Sequence, residues 1–315
     1  MGYQSATGKQ GGAVVEALAN NEEFQILAVT RNASGAAAKG LLERFPNIKI
    51  VEGNMDDAPK LFEAAKDAGN KNIWGVFSVQ VSEGKGVTFD SEVRQGKAMI
   101  DEAIKNKVET FVYSSVERGG DEKSWTNQTP VDHFKSKYFI EQHLRDNADK
   151  SMKWTILRPV ALMENMKPGF ETTVFFTALK NALGQTPMQW VATRDVGRYA
   201  EKAFVKPERW DRKAVGLAGE EMTFSQLSDQ LKSSTGSPAG TTYGILASAL
   251  RWAIPEIARM LDWFASDGYR ADIGKLRESD SELLTFKKWL EKDIILLGWN
   301  GYGYGYGRRI WVSNM

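Results

Sequence analysis

The sequence predicts an α/β fold, in which a doubly wound and mostly parallel sheet is followed by a smaller, mainly helical lobe. Through the first half of the chain, short apolar runs of strand length alternate with longer runs that have helical spacing. This alternation is typical of a parallel sheet with right-handed crossover helices. A glycine-rich stretch stands directly before the first helical run, and the regular alternation ends near residue 155.

The strand expected before the glycine-rich stretch has little sequence to form it. Residues 1–4 contain no Val, Ile or Leu, so this strand is either very short or lacks its true beginning. The next strand, residues 25–30, is apolar and β-branched, as buried parallel strands are. Further strands are predicted at 48–51, 73–79, 110–114, 154–157, 188–192 and 213–217. Helices are predicted from Ala13, at 36–44, 59–68, 91–106 and 131–145, after Gly197, and at 223–234, 243–266 and 282–292, with an irregular segment at 119–130.

The composition narrows the classes of function. Of 315 residues, 42% are hydrophobic, and 41 Lys and Arg nearly balance 40 Asp and Glu. A chain with so little net charge has no general field for nucleic acid or an anionic membrane. It contains no Cys and only two His, so we expect no disulfide and no metal site. We find no signal peptide and no apolar run of 18 residues, and we expect a cytoplasmic protein, which as a regulator would also be nuclear.

The stretch from Ser5 to Gly12 carries the first functional signal. Gly8 and Gly11 fit a G-x-x-G-x-x-G variant of the dinucleotide fingerprint, with Ser5 in place of the first glycine. Small residues before a helix leave backbone N–H groups free at its positive end, where a pyrophosphate binds. The alternative is an ordinary glycine-rich turn.

Arg31 carries the second signal. It directly follows the strand at 25–30 and lies 20 residues after Gly11, where an NAD-binding unit has an acidic residue for the ribose hydroxyls. A guanidinium at this place suits a 2′-phosphate by charge and geometry. The sequence therefore indicates NADP(H), although a solvated arginine at a strand end is the alternative.

Several motifs in a fixed order resemble the NmrA-like family of atypical short-chain dehydrogenases/reductases. They are Ala6-Thr7-Gly8-Lys9-Gln10-Gly11-Gly12, Val29-Thr30-Arg31-Asn32, Val112-Tyr113-Ser114-Ser115, His133-Phe134-Lys135-Ser136-Lys137, and Leu157-Arg158-Pro159 with Glu164-Asn165. The resemblance continues through Val191-Ala192-Thr193-Arg194-Asp195-Val196-Gly197, Trp263-Phe264, Gly268-Tyr269 and Leu284-Thr285-Phe286-Lys287-Lys288-Trp289-Leu290. It covers nearly everything from residue 5 to about 292.

The resemblance implies a Rossmann fold that binds NADP(H) under a small carboxyl-terminal lobe. It implies that Thr7, Gly8, Lys9, Gln10 and Gly11 meet the pyrophosphate, Arg31 the 2′-phosphate, Asn54 and Met55 the adenine, Phe77, Ser78, Val79 and Gln80 the adenosine ribose, and Ser114, Lys137, Pro159, Val160 and Asn165 the nicotinamide half. We accordingly divide the chain into an NADP-binding core at 1–155, a substrate-cleft lobe at 156–299 interleaved with the last sheet strands, and a low-complexity tail at 300–315.

That tail alternates Gly with Tyr before Arg308 and Arg309. Aromatic and basic side chains together can bind single-stranded nucleic acid. Alternating glycine, however, does not specify a fold, so we favour an extension with no nucleic-acid partner.

At the catalytic position, this chain differs from ordinary short-chain dehydrogenases. Those enzymes use Tyr-x-x-x-Lys, in which the ammonium lowers the tyrosine pKa, whereas this chain has His133-x-x-x-Lys137. Lys137 is expected to orient the ribose, and His133, Ser115 or a water bound to the lysine to supply a proton. The alternative for His133 is a helix-start residue that packs against Phe134.

Three functions compete. The first is an NADPH-dependent reductase of a small carbonyl, enal, quinone or imine substrate. The second is a non-catalytic redox sensor that reports bound NADP(H) to a regulatory protein partner, which the missing tyrosine favours. The third is a non-redox, cyclase-type enzyme with NADP(H) as a structural ligand, for which Glu117, Asp132 or Glu164 are candidate acids.

Overall fold

The computed structural model describes residues 6–69, 72–82, 84 and 86–297. The strands are β1 (Leu27–Thr30), β2 (Lys49–Glu52), β3 (Gly75–Ser78), β4 (Thr110–Ser114), β5 (Lys153–Pro159), β6 (Ala161–Leu162), β7 (Met188–Val191), β8 (Lys213–Leu217) and β9 (Glu220–Met222). The helices are α1 (Lys9–Leu18), α2 (Ala36–Arg44), α3 (Ala58–Ala68), α4 (Phe89–Lys105), α5 (Asp132–Asn147), α6 (Phe170–Leu183), α7 (Thr193–Val205), α8 (Pro207–Trp210), α9 (Phe224–Thr235), α10 (Gly244–Ala253), α11 (Pro255–Ser266), α12 (Ile273–Ser279) and α13 (Phe286–Leu297).

The main sheet is parallel, as the sequence predicts. Strands β3, β4, β5 and β8 lie in that order, and every neighbouring pair is parallel. Strands β1 and β2 form a parallel pair, while β6, β7 and β9 form a small mixed sheet. The Ala6 N–H donates to the Val29 carbonyl at 3.0 Å, so the chain enters the glycine loop beside β1. The α/β fold class is confirmed.

Helices cover both faces of the main sheet, because successive side chains on a strand point to opposite sides. All five residues of β4 are buried. Val112 belongs to the cluster that contains α1 and α7, whereas Phe111 and Tyr113 belong to the cluster formed with α3, α4 and α5. This two-sided burial holds the carboxyl ends of the strands at one edge of the sheet.

Local signals explain where several helices begin and end. Thr88 and Ser91 form a reciprocal capping box at the start of α4, and Thr223 and Gln226 form another at α9. The predicted helix at 243–266 is divided into α10 and α11 at Pro255, because proline lacks the N–H that a continuous helix needs.

Other sequence expectations need correction. Helix α7 begins at Thr193, so the motif at 194–197 is the first part of the helix and does not precede it. The expected helix at 282–292 begins only at Phe286. Helices α6, α8 and α12 and strands β6 and β9 were not predicted. The short strand expected at 1–4 and the tail at 300–315 lie outside the described residues, and the three-part domain division stays a prediction. In the described part of the chain, no helix is long and apolar enough to cross a membrane.

Candidate functional site

The glycine loop ends at an uncapped helix amino terminus. Gly8 is the N-cap of α1 and has an extended backbone, with φ −89° and ψ 175°. Gly8 has no side chain that could cap this helix, and the first turn contains no acidic residue. An N-terminus of this kind carries unsatisfied N–H groups and partial positive charge. The loop is therefore suited to receive an anion.

A cavity of about 460 Å³ opens at this terminus. Thr7, Gly8 and Lys9 form one wall. The other walls come from α2, the first residues of α7, Glu164 and residues further along α1. Glu16 joins two of these walls, because its carboxylate pairs with Arg44 at 3.0 Å and with Arg194 at 3.4 Å.

Two side chains in the first turn of α1 reach the region at the carboxyl ends of β4 and β6. The Lys9 ammonium donates to Asn165 Oδ1 at 2.5 Å. The Ser114 hydroxyl, at the carboxyl end of β4, donates to Gln10 Oε1 at 2.5 Å, and both of these residues are buried. The structure thus brings residues predicted for the pyrophosphate next to residues predicted for the nicotinamide half.

The carboxyl ends of β1 and β2 lie side by side, because the Gly53 N–H donates to the Thr30 carbonyl at 2.9 Å. Arg31 follows β1 and is exposed, but it does not line the 460 Å³ cavity. Asn54 follows β2 and accepts the Asp56 N–H at 3.2 Å. The pKa of the Asp56 carboxyl is held below its usual value, mainly by a hydrogen bond from the Gln95 side chain and to a smaller extent by Arg94.

A buried acceptor remains open at the end of β3. Gln80 is fully buried, and its Nε2 donates to Ser78 Oγ at 2.8 Å and lies 3.8 Å from the Met55 sulfur. Its Oε1 has no hydrogen-bond partner among the described residues. Buried polar atoms of this kind are rare without a partner. Together with the uncapped α1, this orphaned oxygen fits a site built for a polar ligand.

Lys137 is held in a buried ion pair. Its ammonium lies 2.8 Å from Glu92 Oε1, and the side chains are 8% and 2% exposed. The Ser82 hydroxyl donates to the same carboxylate oxygen at 3.0 Å. Because an ammonium has three N–H bonds, Glu92 fixes the lysine without using all of its donors.

His133 lies against both the core and the lobe. Its Nδ1 is 2.7 Å from Glu256 Oε1, which also accepts the His133 backbone N–H at 3.2 Å. The ring meets Phe134 edge-on at 4.6 Å. The hydrogen bond from His133 is the main reason why the pKa of Glu256 is lowered. A carboxylate at Nδ1 selects the Nδ1–H form and leaves Nε2 as the nitrogen that can exchange a proton.

Ser115 belongs to a rigid part of the site. Its hydroxyl accepts from Arg118 at 3.3 Å. Arg118 and Arg158 both bind the fully buried Glu141, at 2.8 Å and 2.7 Å. Burial alone would raise the pKa of Glu141, but the two guanidinium groups hold it below its usual value. This network fixes the loop after β4 against α5 and β5.

The remaining predicted residues lie at or near the carboxyl ends of β3 and β5. Pro159 ends β5, and the Val160 N–H donates to the Leu217 carbonyl at 3.1 Å. Phe77 lies in β3 and is partly buried, while Val79 just after it is buried. The part of the cofactor assigned to each of these site residues stays a prediction.

The three candidate acids differ in their surroundings. Asp132 pairs with Arg259 at 2.6 Å, and Glu117 accepts the backbone N–H groups of Gly120 and Arg270. Glu164 alone of the three lines the cavity at the glycine loop. Its Oε1 accepts from the Thr193 N–H at 2.9 Å and from the Trp289 indole at 3.1 Å.

The second oxygen of Glu164 has no partner among the described residues, and burial raises the pKa of this carboxyl. Among the described residues, no three His, Asp or Glu side chains are grouped so that they could hold a metal ion.

A sequence model of the NmrA-like family matches residues 4–290. The chain belongs to the NmrA-like family. An NmrA-like family domain-containing oxidoreductase of Aspergillus hancockii is 26% identical over 252 residues, which are 74% of this chain and 72% of the relative. Another, from Aspergillus sp. (strain MF297-2), is 27% identical over 256 residues, covering 74% of this chain and 72% of the relative.

Solved structures agree with this NmrA-like fold. The negative transcriptional regulator NmrA in complex with NADP has a TM-score of 0.66 and 16% identity, and the match covers 95% of this chain and 96% of that one. The triphenylmethane reductase of Citrobacter sp., complexed with NADP(H), has a TM-score of 0.67 and 16% identity, covering 91% and 97%. Both confirm the Rossmann-type fold.

Sequence reasoning missed two partners within this NmrA-like site. Glu92 stands at a position of α4 whose neighbours at helical spacing, Gly96, Met99 and Ile100, are buried. A carboxylate on that buried stripe was the available signal for a buried pair. Glu256 follows Pro255 in a helix of the lobe, and no local pattern marks it as a partner of His133. Arg44, Thr193 and Arg194 were likewise not assigned to the glycine-loop cavity.

Proposed function

We propose that this NmrA-like protein is an NADPH-dependent reductase of a small carbonyl, enal, quinone or imine substrate. The observation that carries the proposal is the amino terminus of α1, which has glycine as its N-cap, no acidic residue in its first turn and a cavity that Thr7, Gly8 and Lys9 help to line. A dinucleotide pyrophosphate supplies the negative charge that such a terminus lacks. Two structural neighbours with this fold carry NADP or NADP(H).

The residues at the sheet edge would divide the work along the cofactor. The N–H groups from Gly8 to Gly11 would bind the pyrophosphate, and Arg31 would bind the 2′-phosphate as a fork of charged donors. The open Oε1 of Gln80 would accept a hydrogen bond on the adenosine side. Lys137 would use the donors that Glu92 leaves free to hold the nicotinamide ribose.

The bound NADPH would supply a hydride to the electrophilic carbon of the substrate. The matching proton would come from protonated His133, through the Nε2 atom that Glu256 leaves available. Glu256 would hold the ring in one orientation. The carbonyl oxygen or imine nitrogen would thus gain the proton as the carbon gains the hydride.

Two measurements test the proposal. Calorimetric titration with NADP⁺ and NAD⁺ should show at least tenfold tighter binding of NADP⁺, and Arg31→Ala should remove that preference. Lys287→Ala, on an exposed face of α13, is the matched control and should keep it. Affinity for neither dinucleotide would contradict the proposal.

The second measurement follows absorbance at the nicotinamide band with NADPH and a panel of quinones, enals and imines. His133→Ala should slow turnover at least tenfold with little change in NADP⁺ affinity, whereas Lys137→Ala should weaken binding as well. An unchanged rate in His133→Ala would remove His133 from the mechanism.

A redox sensor is the second candidate, and the buried Lys137–Glu92 pair favours it. A lysine already compensated by a carboxylate at 2.8 Å is suited to hold a ribose without moving a proton. The neighbour NmrA is titled a negative transcriptional regulator. Tight NADP⁺ binding with no turnover on any substrate of the panel would favour this role, with a regulatory protein as the partner.

A non-redox, cyclase-type reaction is the third candidate, and Glu164 supports it. This buried residue lines the cavity, its carboxyl has a raised pKa, and one of its oxygens has no partner among the described residues. It would serve as an acid that remains protonated to higher pH than an ordinary glutamate. Conversion of a substrate without NADPH consumption, lost in Glu164→Gln, would favour it.

A further inference from the structure

A second cavity, of about 770 Å³, lies along the open edge of the main sheet. Strand β8 is the last strand of that sheet, and Ala214, Val215 and Gly216 form one wall. The other walls come from α7, α8 and α12. None of its lining residues belongs to the cavity at the glycine loop. This volume is within the range of small-molecule sites.

Positive charge without acidic partners surrounds this edge cavity. Four of its lining side chains make no salt bridge or side-chain hydrogen bond among the described residues: Lys206, Arg209, Lys213 and Lys275. The Arg209 N–H donates to the Lys206 carbonyl at 3.0 Å, so these two cations stand on one turn. Such a cluster repels itself unless an anion or solvent screens it.

The acids of the wall do not neutralise these cations. Asp121 accepts the Gly216 N–H at 2.8 Å and Asp272 accepts the Lys275 N–H at 3.0 Å, and neither carboxylate forms an ion pair with a lining cation among the described residues. Glu201 is the third acid, and it makes no ion pair among the described residues. The wall therefore keeps a surplus of positive charge, on a chain whose net charge is only +1.

Aromatic rings and a free backbone edge complete the cavity. Trp210 and Trp125 line it, and Trp210 meets the buried Tyr199 edge-on at 5.8 Å. The Leu217 carbonyl points toward β5, where it accepts from Val160. Because backbone groups alternate in direction along a strand, the N–H groups of Ala214 and Gly216 point away from β5. The Gly216 N–H donates to the Asp121 carboxylate. The Ala214 N–H is left as an additional donor at the wall.

We propose that this edge cavity binds a small aromatic molecule that carries a phosphate or a pair of carboxylates. The ring packs against the Trp210 indole, and the double negative charge is held by Lys206 and Arg209, with Lys213 and Lys275 nearby. Burial of the ring and compensation of the charge both contribute to the affinity for one molecule. The aromatic part alone or the anionic part alone therefore binds more weakly. The site is separate from the proposed cofactor site.

Calorimetry with phenyl phosphate tests this inference, with inorganic phosphate and phenol as the two halves. We expect phenyl phosphate to bind at least tenfold more tightly than either half. The double variant K206E/R209E should lose at least tenfold in affinity, while K287E/K288E, which reverses the same charge on the exposed face of α13, should stay within twofold of the original chain.

Four results would overturn the inference. The first three are no binding of phenyl phosphate at millimolar concentration, equal binding in K206E/R209E, and inorganic phosphate binding as tightly as phenyl phosphate. The fourth is loss of binding in Arg31→Glu, because the probe would then occupy the cofactor site. If K206E/R209E does not fold, Lys275→Glu on exposed α12 repeats the test with a separate cation. Failure to bind NADP⁺ leaves this experiment unaffected.

Discussion

Glu92 and Lys137 form a buried ion pair, with 2.8 Å between the carboxylate oxygen and the ammonium. The two residues come from α4 and α5, which pack together beside the sheet. Removing one charge from a pair that is more than nine-tenths buried leaves the other without compensation. The candidate ribose-binding lysine is therefore also a stabilising element of the fold.

Replacing Lys137 by Gln should lower the free energy of unfolding by roughly 3–5 kcal/mol, because Glu92 stays buried without its partner. The double variant Glu92→Gln/Lys137→Gln removes both charges and keeps polar side chains at both places, so it should recover most of this loss. Urea denaturation of the two variants measures the difference. Equal losses would show that the pair is not coupled.

Gly197 sets how closely α7 approaches α1. A Cβ at this position would collide with the carbonyl group of Ala13 in α1. We expect Gly197→Ala to destabilise the protein by about 1–3 kcal/mol through overpacking and to displace the amino terminus of α1.

Gly40→Ala in α2 is the matched control, since a Cβ there meets nothing within 4 Å. It should stabilise the protein by roughly 0.5–1 kcal/mol, the usual gain of alanine over glycine in a helix. Thermal unfolding measures both variants. A Gly197→Ala protein as stable as the Gly40→Ala protein would contradict the close packing.

Asp195 should make stability fall as the pH rises. Burial raises its pKa from 3.8 to about 6, despite the hydrogen bond from the Leu284 N–H and the charge of Arg198. The folded state therefore binds more protons than the unfolded state between these two values, and this contribution decreases stability across pH 4 to 6. It amounts to about 3 kcal/mol at most.

Denaturation of the original chain and of Asp195→Asn at several pH values measures this effect. The unfolding free energy of the original chain minus that of Asp195→Asn should decrease from pH 4 to pH 6 and stay constant at higher pH. A difference that is constant over this range would contradict the raised pKa.

Glu256 should have the opposite effect on the pH dependence of stability. Its pKa is held below the usual 4.5, mainly by the hydrogen bond from His133. Its stabilising contribution is present above pH 4.5 and is lost as the pH falls through the lowered pKa. Thermal unfolding below pH 4.5 should show a smaller acid-induced decrease in Tm for Glu256→Gln than for the original chain. Similar acid profiles would argue against the His133–Glu256 bond.

Elements with clear local sequence signals could be predicted from the sequence alone. The bounds of α2, β4 and β8 match the sequence prediction, because helical and strand periodicity act within a few residues. The break between α10 and α11 was missed although Pro255 marks it. Strand β6 has two residues and β9 has three, which is too short for a clear alternation.

The amino acids alone indicated the α/β fold, the family resemblance and an anion-binding loop before α1, because these depend on short-range patterns and on motif order. Tertiary packing decided which partners the candidate residues received. Glu92 reaches Lys137 across 45 residues, and Glu256 reaches His133 across 123 residues. The edge cavity likewise requires β8, α8 and α12 to meet. Charges so distant in sequence become neighbours only when the chain buries its apolar surface, and no local pattern encodes that distance.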